Sequence, residues 1–224
     1  MLTYHNYLQQ VIIYVSWLFF LGITIFYFNP VLLFTAIVFH GVFVSAFYHR
    51  YLTHNSWLCP RWLQYILTFL SAGFAILPVL HWVAIHRKHH RYSDTINDPH
   101  GPTKTLLQNI NFGLVNVELK YAGKLLKDNL YILQSKYYFH IVFLFFLAWS
   151  FIFSYQSYFY ITGFVFFSNT MVALLGHLTN WTWCSIIFNG EMYHNEHHNN
   201  PNNSKFGLLD LPYCMLIKWF PILK

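Results

Sequence analysis

Five uncharged apolar runs limit what this chain can fold into more than any other feature. Each is 17 to 19 residues long, and they occupy residues 11–28, 31–48, 62–80, 137–153 and 158–176. A helix needs about 20 residues to cross the hydrocarbon core of a bilayer. Charged residues make up 9% of the chain, against about 25% in soluble domains. The sequence therefore predicts an all-α integral membrane protein, with one membrane-embedded domain over residues 1–224.

The order of the runs and the positions of the basic residues predict a topology. Only residues 29–30 separate the first two runs, and only 154–157 separate the last two, which is typical of two tight helical hairpins. The run 11–28 lacks the basic flank and cleavage site of a signal peptide, so we expect a retained span. All thirteen Lys and Arg lie in 50–136 or 205–224. By the positive-inside rule, both hairpin turns face outward and these basic segments are cytoplasmic.

The middle run, 62–80, is expected to be interfacial or re-entrant. If it crossed the bilayer, the histidines that follow it would be carried to the opposite face from the remaining histidine motifs. It also contains Gly73 and Pro78, which weaken or kink a helix. Four transmembrane helices then remain, at 11–28, 31–48, 137–153 and 158–176, with the histidine motifs at their cytoplasmic ends.

Two further segments and the cysteines carry weaker signals. Residues 114–130 mix lysines with leucines, which predicts either a basic amphipathic helix on the anionic inner leaflet or a solvated helix that caps the cytoplasmic side. The tail, 206–220, is expected to pack against the membrane surface. The three cysteines form no C-x-x-C pair, so neither a disulfide framework nor a thiolate metal site is expected.

Fourteen histidines are distributed in motifs rather than at random. On a helix, positions i, i+3 and i+4 share a face, so the triplet at 86, 89 and 90 is expected to aim three imidazoles at one point. The triplet at 194, 197 and 198 repeats this spacing. His49 and His54 are five residues apart, about 140° around an α-helix, so we expect them to converge only if the helix ends between them.

Together with His177, these motifs gather nine imidazoles on one side of the membrane. Neutral imidazole suits iron, zinc, copper or nickel, and the lack of a thiolate set argues against structural zinc. Nine ligands are too many for one ion, whereas two metals with four or five ligands each fit the count. His5, His40, His81 and His140 are expected to be ordinary core residues.

The three motifs resemble the histidine boxes of integral-membrane fatty acid desaturases, most closely the acyl-CoA (delta-9 type) branch. They read His-Arg-Tyr-Leu-Thr-His at 49–54, His-Arg-Lys-His-His at 86–90 and Gly-Glu-Met-Tyr-His-Asn-Glu-His-His at 190–198. The second box runs on to Asp94 and to Asn-Asp-Pro-His at 97–100. The resemblance extends from about residue 31 to the C-terminus.

The resemblance implies a four-helix membrane fold with a cytosolic, histidine-rich di-iron cap. It implies an oxidoreductase that uses O₂ as co-substrate and introduces a cis double bond into a long acyl chain, carried on CoA or on a lipid. The implied iron ligands are His49, His54, His86, His89, His90, His177, His194, His197 and His198. No catalytic group beyond these ligands is expected, because the shape of the substrate tunnel would select the bond.

Several residues near the boxes have less certain roles. Asp98 and His100 resemble the acidic segment after the second box and are expected to orient ligand N–H groups. Arg87, Lys88 and Arg91 form either a solvated face or contacts to an acidic headgroup or electron donor. The family has an asparagine four residues before the last-span histidine, where this chain has Ala173. Asn180 or a water is a candidate replacement. His177 also precedes the third box by only sixteen intervening residues, fewer than usual in the family.

Partners and alternatives follow from the same resemblance. No haem-binding His-Pro-Gly-Gly segment is found, so a separate ferredoxin or cytochrome b5-type protein is expected to supply electrons. Nucleic acid is not an expected partner. A membrane hydroxylase of an alkyl or acyl chain is the nearest alternative enzyme. A non-enzymatic metal-binding or transport protein is the alternative from another class, although transporters place ligands near the bilayer midplane.

Overall fold

The fold is all-helical over the residues that the structure describes. A computed structural model describes residues 2–111, 117–178 and 182–223, with side chains from residue 7. Within these ranges the extended pairing is a single antiparallel bridge between Trp57 and Ile222. Within the described residues Cys59, Cys184 and Cys214 form no disulfide; the first two are buried and Cys214 is exposed.

Three helices are long and apolar enough to cross a membrane. The first is α1 (Leu2–Phe26), whose candidate span is Tyr7–Phe26. The second is α2 (Pro30–Phe39), which continues without interruption as a π-helix (His40–Thr53). The third is α8 (Tyr155–Leu175). These helices correspond to the predicted runs 11–28, 31–48 and 158–176.

The fourth predicted span, 137–153, is part of a bent pair of helices. α6 (Asn129–Lys136) and α7 (Tyr138–Ile152) meet at an angle of 70°, and together they count as a fourth candidate span. Alone, the 15 residues of α7 extend only about 22 Å. The all-helical membrane architecture predicted from the sequence is therefore confirmed, with three spans or, if the bent pair is one span, four.

The run 62–80 forms two helices rather than one. α3 (Arg61–Gly73) ends at the glycine, and α4 (Val79–Tyr92) begins directly after Pro78. Between them Ala75 and Leu77 adopt positive φ angles of 57° and 67°. With 13 residues, α3 extends about 20 Å, short of the roughly 30 Å hydrocarbon core. This geometry fits the predicted interfacial or re-entrant run.

Local sequence accounts for the starts of two membrane helices. The side chain of Asn29 accepts hydrogen bonds from the backbone N–H groups of Val31 and Leu32, both at 3.0 Å, ahead of α2. Ser154 accepts from the N–H of Ser157 at 3.1 Å ahead of α8. These side-chain caps satisfy donors that the first helical turn leaves free.

Helix α8 is the centre of the bundle, since both α1 and α2 pack on it. α1 approaches closely at Gly163, where an added Cβ would lie 2.0 Å from the carbonyl oxygen of Ser16. α3 packs on α7, and α4 packs on the π-helix and on a 3₁₀ segment (Leu119–Lys127). The outer surfaces of α1, α2 and α7 expose apolar side chains suited to lipid, including Leu18, Phe34 and Phe151.

Two sequence predictions concern the polar side of the molecule. Residues 117–130, the described part of the segment 114–130, do not form one continuous helix, because the 3₁₀ segment is kinked at Gly123 (φ 59°) and α6 begins at Asn129. The 3₁₀ segment packs on α4, which favours the capping alternative. The tail is anchored to the protein, since Asp210 is buried against Arg50 and the carbonyl of Pro221 accepts from Leu58 N–H at 2.8 Å. Its apolar side chains Leu208, Leu209 and Trp219 are exposed, so the expected packing against the membrane surface stays a prediction.

Candidate metal centre

The first histidine pair lies at the end of the π-helix. His54 N–H donates to the carbonyl of His49 at 3.2 Å, a hydrogen bond that spans five residues. Because this hydrogen bond joins residues i and i+5, it places the two residues on successive turns of the same side of a π-helix. The two imidazole rings are 4.9 Å apart between centroids. The helix ends at Thr53, between the two histidines as predicted, and the hydrogen bond across its wider last turn brings the two rings together.

The second box lies in the last turns of α4, and its three imidazoles point to two places. His86 and His90 face each other, with 3.1 Å between their Nε2 atoms. His89 points away, because positions i+3 and i+4 are about 100° apart around a helix. Nε2 of His89 lies 3.2 Å from Nε2 of His198 instead. The expectation that one box aims at a single point is therefore wrong.

The third box repeats this division in α9 (His194–Asn199) with the roles exchanged. His194 and His198 face each other, with their Nε2 atoms 3.1 Å apart. His197 turns to the other side, where its Nε2 lies 3.0 Å from that of His90 and 2.9 Å from that of His49. Each H-x-x-H-H motif thus gives two imidazoles to one group and one to the other.

Two groups of histidines result, and they contain all nine candidates from the sequence. We call them the five-histidine group and the four-histidine group. The ligand atoms of each group lie within 4.8 Å of one another. The five-histidine group consists of His49, His54, His86, His90 and His197. The four-histidine group consists of His89, His177, His194 and His198. The division matches the expected count of two metals with four or five ligands each.

The spacing between the Nε2 atoms fits a metal ion in each group. Facing Nε2 atoms are separated by 2.9 Å, between His49 and His197, to 3.3 Å, between His89 and His177. Two imidazole nitrogens that each lie about 2.1 Å from one ion, in neighbouring coordination positions, are roughly 3.0 to 3.4 Å apart. The side chains are therefore already arranged as ligands around a point.

Carboxylates fix the orientation of two rings in the four-histidine group. Nδ1 of His89 lies 2.8 Å from Asp98, and Nδ1 of His177 lies 3.2 Å from Asp94. Each Nδ1 therefore carries the proton, and each Nε2 presents a lone pair. Two lone pairs that face each other at 3.3 Å cannot form a hydrogen bond. A cation between them is the chemical partner that this arrangement fits.

A carboxylate plays the same part in the five-histidine group. Nδ1 of His49 lies 2.7 Å from Glu191, and the hydroxyl of Ser45 donates to the other oxygen of that carboxylate. Burial would raise the pKa of Glu191, but His49 and Arg50 outweigh burial and lower it to about 2. Nε2 of His54 is buried and has no hydrogen-bond partner. A metal in this group would satisfy that atom.

Burial also sets the protonation state of the imidazoles. It lowers the pKa of His86, His194 and His197 well below the ordinary value of 6.5, and the neighbouring imidazoles add to the effect. Burial likewise lowers the pKa of His198 to about 2. The rings are therefore neutral at pH 7, which is the form that binds metals.

A cavity of about 30 Å³ borders both groups. Its imidazole wall is formed by His49 and His86 from the five-histidine group, by His194 from the four-histidine group and by His100. Val44 and Val172 contribute to a largely apolar remainder. This volume has room for about two water molecules. Small molecules or a narrow part of an alkyl chain could meet both groups here.

The remaining candidates from the sequence have varied surroundings. Asp98 is buried and holds His89, while the ring of His100 stacks on His89 with 4.4 Å between centroids. Ala173 lines the cavity, together with Asn169 one turn earlier on α8. Asn180 lies outside the described residues.

The three basic residues of the second box differ in their contacts. Arg87 donates to the carbonyls of Leu52, at 2.8 Å, and Ala122, at 3.0 Å, so its guanidinium joins the π-helix to the 3₁₀ segment. Lys88 forms an ion pair with Glu118 at 2.7 Å. Arg91 is exposed. Among the three, it has the side chain most open to solvent.

Sequence reasoning missed three residues that act on the histidines. Glu191 lies within the third box, and Asp94 follows the second box. Their closeness in sequence to the candidate ligands was the signal from which their roles could have been predicted. Trp82 stacks on His86 with 4.9 Å between centroids, and it lies one helical turn before that histidine on α4.

Comparison with known proteins gives matches over most of this chain. It is 24% identical over 209 residues to an sn-1 stearoyl-lipid 9-desaturase of Synechocystis, which covers 82% of this chain and 65% of the relative. It is 27% identical over 197 residues to an acyl-CoA 5-desaturase of Anemone leveillei, with coverages of 75% and 60%. An sn-2 palmitoyl-lipid 9-desaturase of Nostoc is also 27% identical over 197 residues, with coverages of 76% and 69%.

The chain spans about two thirds of the length of these curated relatives. No protein-family model matches it. The matched region nevertheless takes in most of the chain, which contains the three histidine boxes and an all-helical apolar scaffold around them. The chain is therefore similar, over most of its length, to curated acyl-lipid and acyl-CoA desaturases.

Proposed function

We propose that this protein is an oxygen-dependent di-iron desaturase that introduces a cis double bond into a long acyl chain. The observation that carries the proposal is the pair of histidine groups, one of five and one of four, beside a small and largely apolar cavity. Two irons held there would supply the oxidising power, with O₂ and two external electrons, to remove hydrogen from an unactivated methylene. The nine histidines of the two groups are the proposed ligands.

The residues of this chain have mainly a positioning role in the proposed reaction. Asp98, Asp94 and Glu191 hold ligand rings in the tautomer that directs Nε2 toward the metal. The apolar wall, including Val44 and Val172, excludes water from the reacting carbons. A methylene held against this wall would react at the carbon nearest the metals, so position rather than acid–base chemistry selects the bond.

The substrate and the electron donor belong to the same proposal. The relatives named above act, by their names, on lipid-bound or CoA-bound acyl groups, and either carrier suits an active site at the membrane surface. A separate ferredoxin or cytochrome b5-type protein would deliver the electrons. Arg91 is a candidate contact for that donor or for a headgroup, because it is exposed beside the histidine groups.

The proposed orientation places the histidine groups on the cytoplasmic side. All thirteen Lys and Arg lie in 50–136 or 205–224, and the hairpin turns at 27–29 and 153–154 contain none. Such a distribution follows the positive-inside rule. Labelling of single cysteines placed in either turn and at exposed Lys124 would test this orientation.

A desaturase-deficient host that expresses this chain tests the function directly. We expect new monounsaturated acyl chains by gas chromatography and mass spectrometry, with two irons per purified chain by elemental analysis. The His86→Ala variant is the matched control and should give neither the alkene nor full metal content. Hydroxylated chains without alkene would favour a membrane hydroxylase. An unchanged lipid profile, together with zinc and no iron, would defeat the proposal.

A further inference from the structure

A completely buried arginine follows the first histidine of the first box. Arg50 has an exposed fraction of 0%. Its Nη1 donates to a carboxylate oxygen of Asp210 at 2.6 Å and to the carbonyl of Ser204 at 3.0 Å. Its Nη2 donates to the hydroxyl of Ser45 at 3.0 Å and to the carbonyl of Asn189 at 2.9 Å. A buried guanidinium is unfavourable unless it is paired in this way, so its position is closely defined.

One arm of these contacts reaches the five-histidine group through Glu191. The hydroxyl of Ser45 accepts from Arg50 and donates to one oxygen of Glu191. The other oxygen of Glu191 lies 2.7 Å from Nδ1 of His49. Arg50 itself lies 3.9 Å from the carboxylate. Arg50 therefore fixes the carboxylate that fixes the ring of His49.

A second arm reaches the same group through Phe206. The guanidinium carbon of Arg50 lies 3.9 Å from the centre of the Phe206 ring. Asp210, the ion-pair partner of Arg50, also accepts from the N–H of Phe206. The Phe206 ring lies 4.8 Å from the ring of His197 and 5.6 Å from that of His49, between centroids. The Arg50–Asp210 ion pair thus holds the Phe206 ring in its position beside two members of the five-histidine group.

The four-histidine group depends on other side chains. Asp98 holds His89 and Asp94 holds His177. Within the described part of the chain, no hydrogen bond or ion pair of Arg50 reaches a member of this group. The two groups are therefore oriented by separate polar networks.

We propose that Arg50 is a positioning residue for the metal of the five-histidine group and not for that of the four-histidine group. The inference rests on the proposed function for the presence of two bound metals. Its chemical basis is the planar fork of the guanidinium, which bonds four oxygens on three chain segments at once. A lysine ammonium has the same charge but lacks this fixed geometry.

The choice of variant separates geometry from charge. Arg50, Glu191 and Asp210 carry a net charge of −1 when all are ionised. A neutral residue at position 50 would change this to −2, which attracts a cation while it also unpairs Asp210, so the two effects would oppose each other. Arg50→Lys keeps the charge and removes only the fork. Ser45→Ala is a milder second variant, because it removes one hydroxyl between Arg50 and Glu191.

The experiment measures metal release from the purified full-length protein in detergent, loaded with Fe(II) and challenged with a chelator. Two single-site backgrounds assign the groups: His177→Ala leaves three ligands in the four-histidine group, and the double variant His54→Ala with His86→Ala leaves three in the five-histidine group. In the His177→Ala background, Arg50→Lys should speed release at least tenfold, within the range typical of residues that support metal ligands. In the double-variant background, the same change should leave release unaltered. Ser45→Ala should repeat this pattern with a smaller effect.

A matched control and the opposing outcomes complete the test. Arg61→Lys alters an exposed pair, in which Arg61 bonds both oxygens of Asp128 at 2.7 Å, and should change neither site. Equal acceleration in both backgrounds, or none in either for both Arg50→Lys and Ser45→Ala, would overturn the inference. Fewer than two metals on the wild-type chain would overturn both proposals. Two zinc ions with the same selectivity would overturn the proposed function alone.

Discussion

Nε2 of His89 lies 3.3 Å from Nε2 of His177, although each ring has its Nδ1 proton held by a carboxylate. Neither nitrogen can donate to the other, so the pair is arranged for a cation. His89 lies on α4, and His177 lies in the turn that directly follows α8. This contact therefore links the second histidine box to the last membrane span.

Removing His177 should empty one site and spare the other. His177→Ala leaves three ligands in the four-histidine group and all five in the other. We expect metal content to fall from about two ions per chain to about one, and desaturation to fall at least ~100-fold because the proposed reaction uses both. Elemental analysis and product assays measure this. A variant that retained two metals would show that His177 is not a ligand.

The two carboxylates of the four-histidine group should differ in importance. Asp98 is fully buried and lies 2.8 Å from His89, whereas the side chain of Asp94 is 51% exposed and lies 3.2 Å from His177. Asp98→Asn should weaken metal binding about 10- to 100-fold, and Asp94→Asn should weaken it less. Competition with a chelator gives both values. A larger loss for Asp94→Asn would contradict this ranking.

Filling the cavity should separate catalysis from metal binding. Ala173 lines the cavity of about 30 Å³, and two added methyl groups would occupy most of it. We expect Ala173→Val to lower activity at least about tenfold with metal content unchanged, because a substrate carbon or O₂ could no longer reach the metals. Ala148→Val, at an exposed position on α7, is the matched control. Unchanged activity in Ala173→Val would place the reaction elsewhere.

The metal-free protein should lose stability as the pH falls below about 6.5. Burial lowers the pKa of His54, His86, His194 and His197 well below 6.5 in the folded state. Between these lowered pKa values and 6.5, the unfolded chain binds protons that the folded chain does not. The free energy of unfolding therefore decreases as the pH decreases. Thermal unfolding in detergent should show a lower midpoint at pH 5.5 than at pH 7.5. A midpoint that rises on acidification would contradict the buried, neutral state of these rings.

The crossing of α1 and α8 should tolerate no side chain at Gly163. An added Cβ would lie 2.0 Å from the carbonyl oxygen of Ser16, a backbone atom that cannot move alone. We expect Gly163→Ala to destabilise the protein by about 1–3 kcal/mol, the range for overpacked sites. Gly22→Ala on α1 is the control, because an added Cβ there meets nothing within 4 Å. Equal unfolding midpoints for the two variants would argue against this close crossing.

Much of the helical architecture could be predicted from the sequence, because long apolar runs and the short polar turns between them are local features of the chain. In the run 62–80, Gly73 and Pro78 indicated a break in the sequence, and they lie at the end of α3 and directly before α4. The nine histidines singled out in the sequence are the nine of the two groups, because imidazoles are rare and their spacing is regular.

The features that were not predicted from the sequence depend on hydrogen-bond patterns and long-range contacts, which the spacing of residues does not specify. The turn from His49 to His54 has π-helical rather than α-helical hydrogen bonds. An α-helical wheel therefore predicts the wrong relative direction for these two side chains. The roles of Glu191 and Asp210 arise from contacts between segments far apart in sequence. The packing of the tail against the membrane surface stays a prediction, although its apolar side chains Leu208 and Trp219 are exposed.

The division of neighbouring histidines between the groups has a mechanical consequence. His89 and His90 serve different groups, as do His197 and His198, and consecutive Cα atoms are a fixed 3.8 Å apart. The spacing between the two proposed metals is therefore set by single backbone steps in α4 and α9. A rotation of either helix would shift ligands of both ions together. The two sites therefore keep a fixed separation, and a carbon–carbon bond of the substrate is positioned relative to both at once.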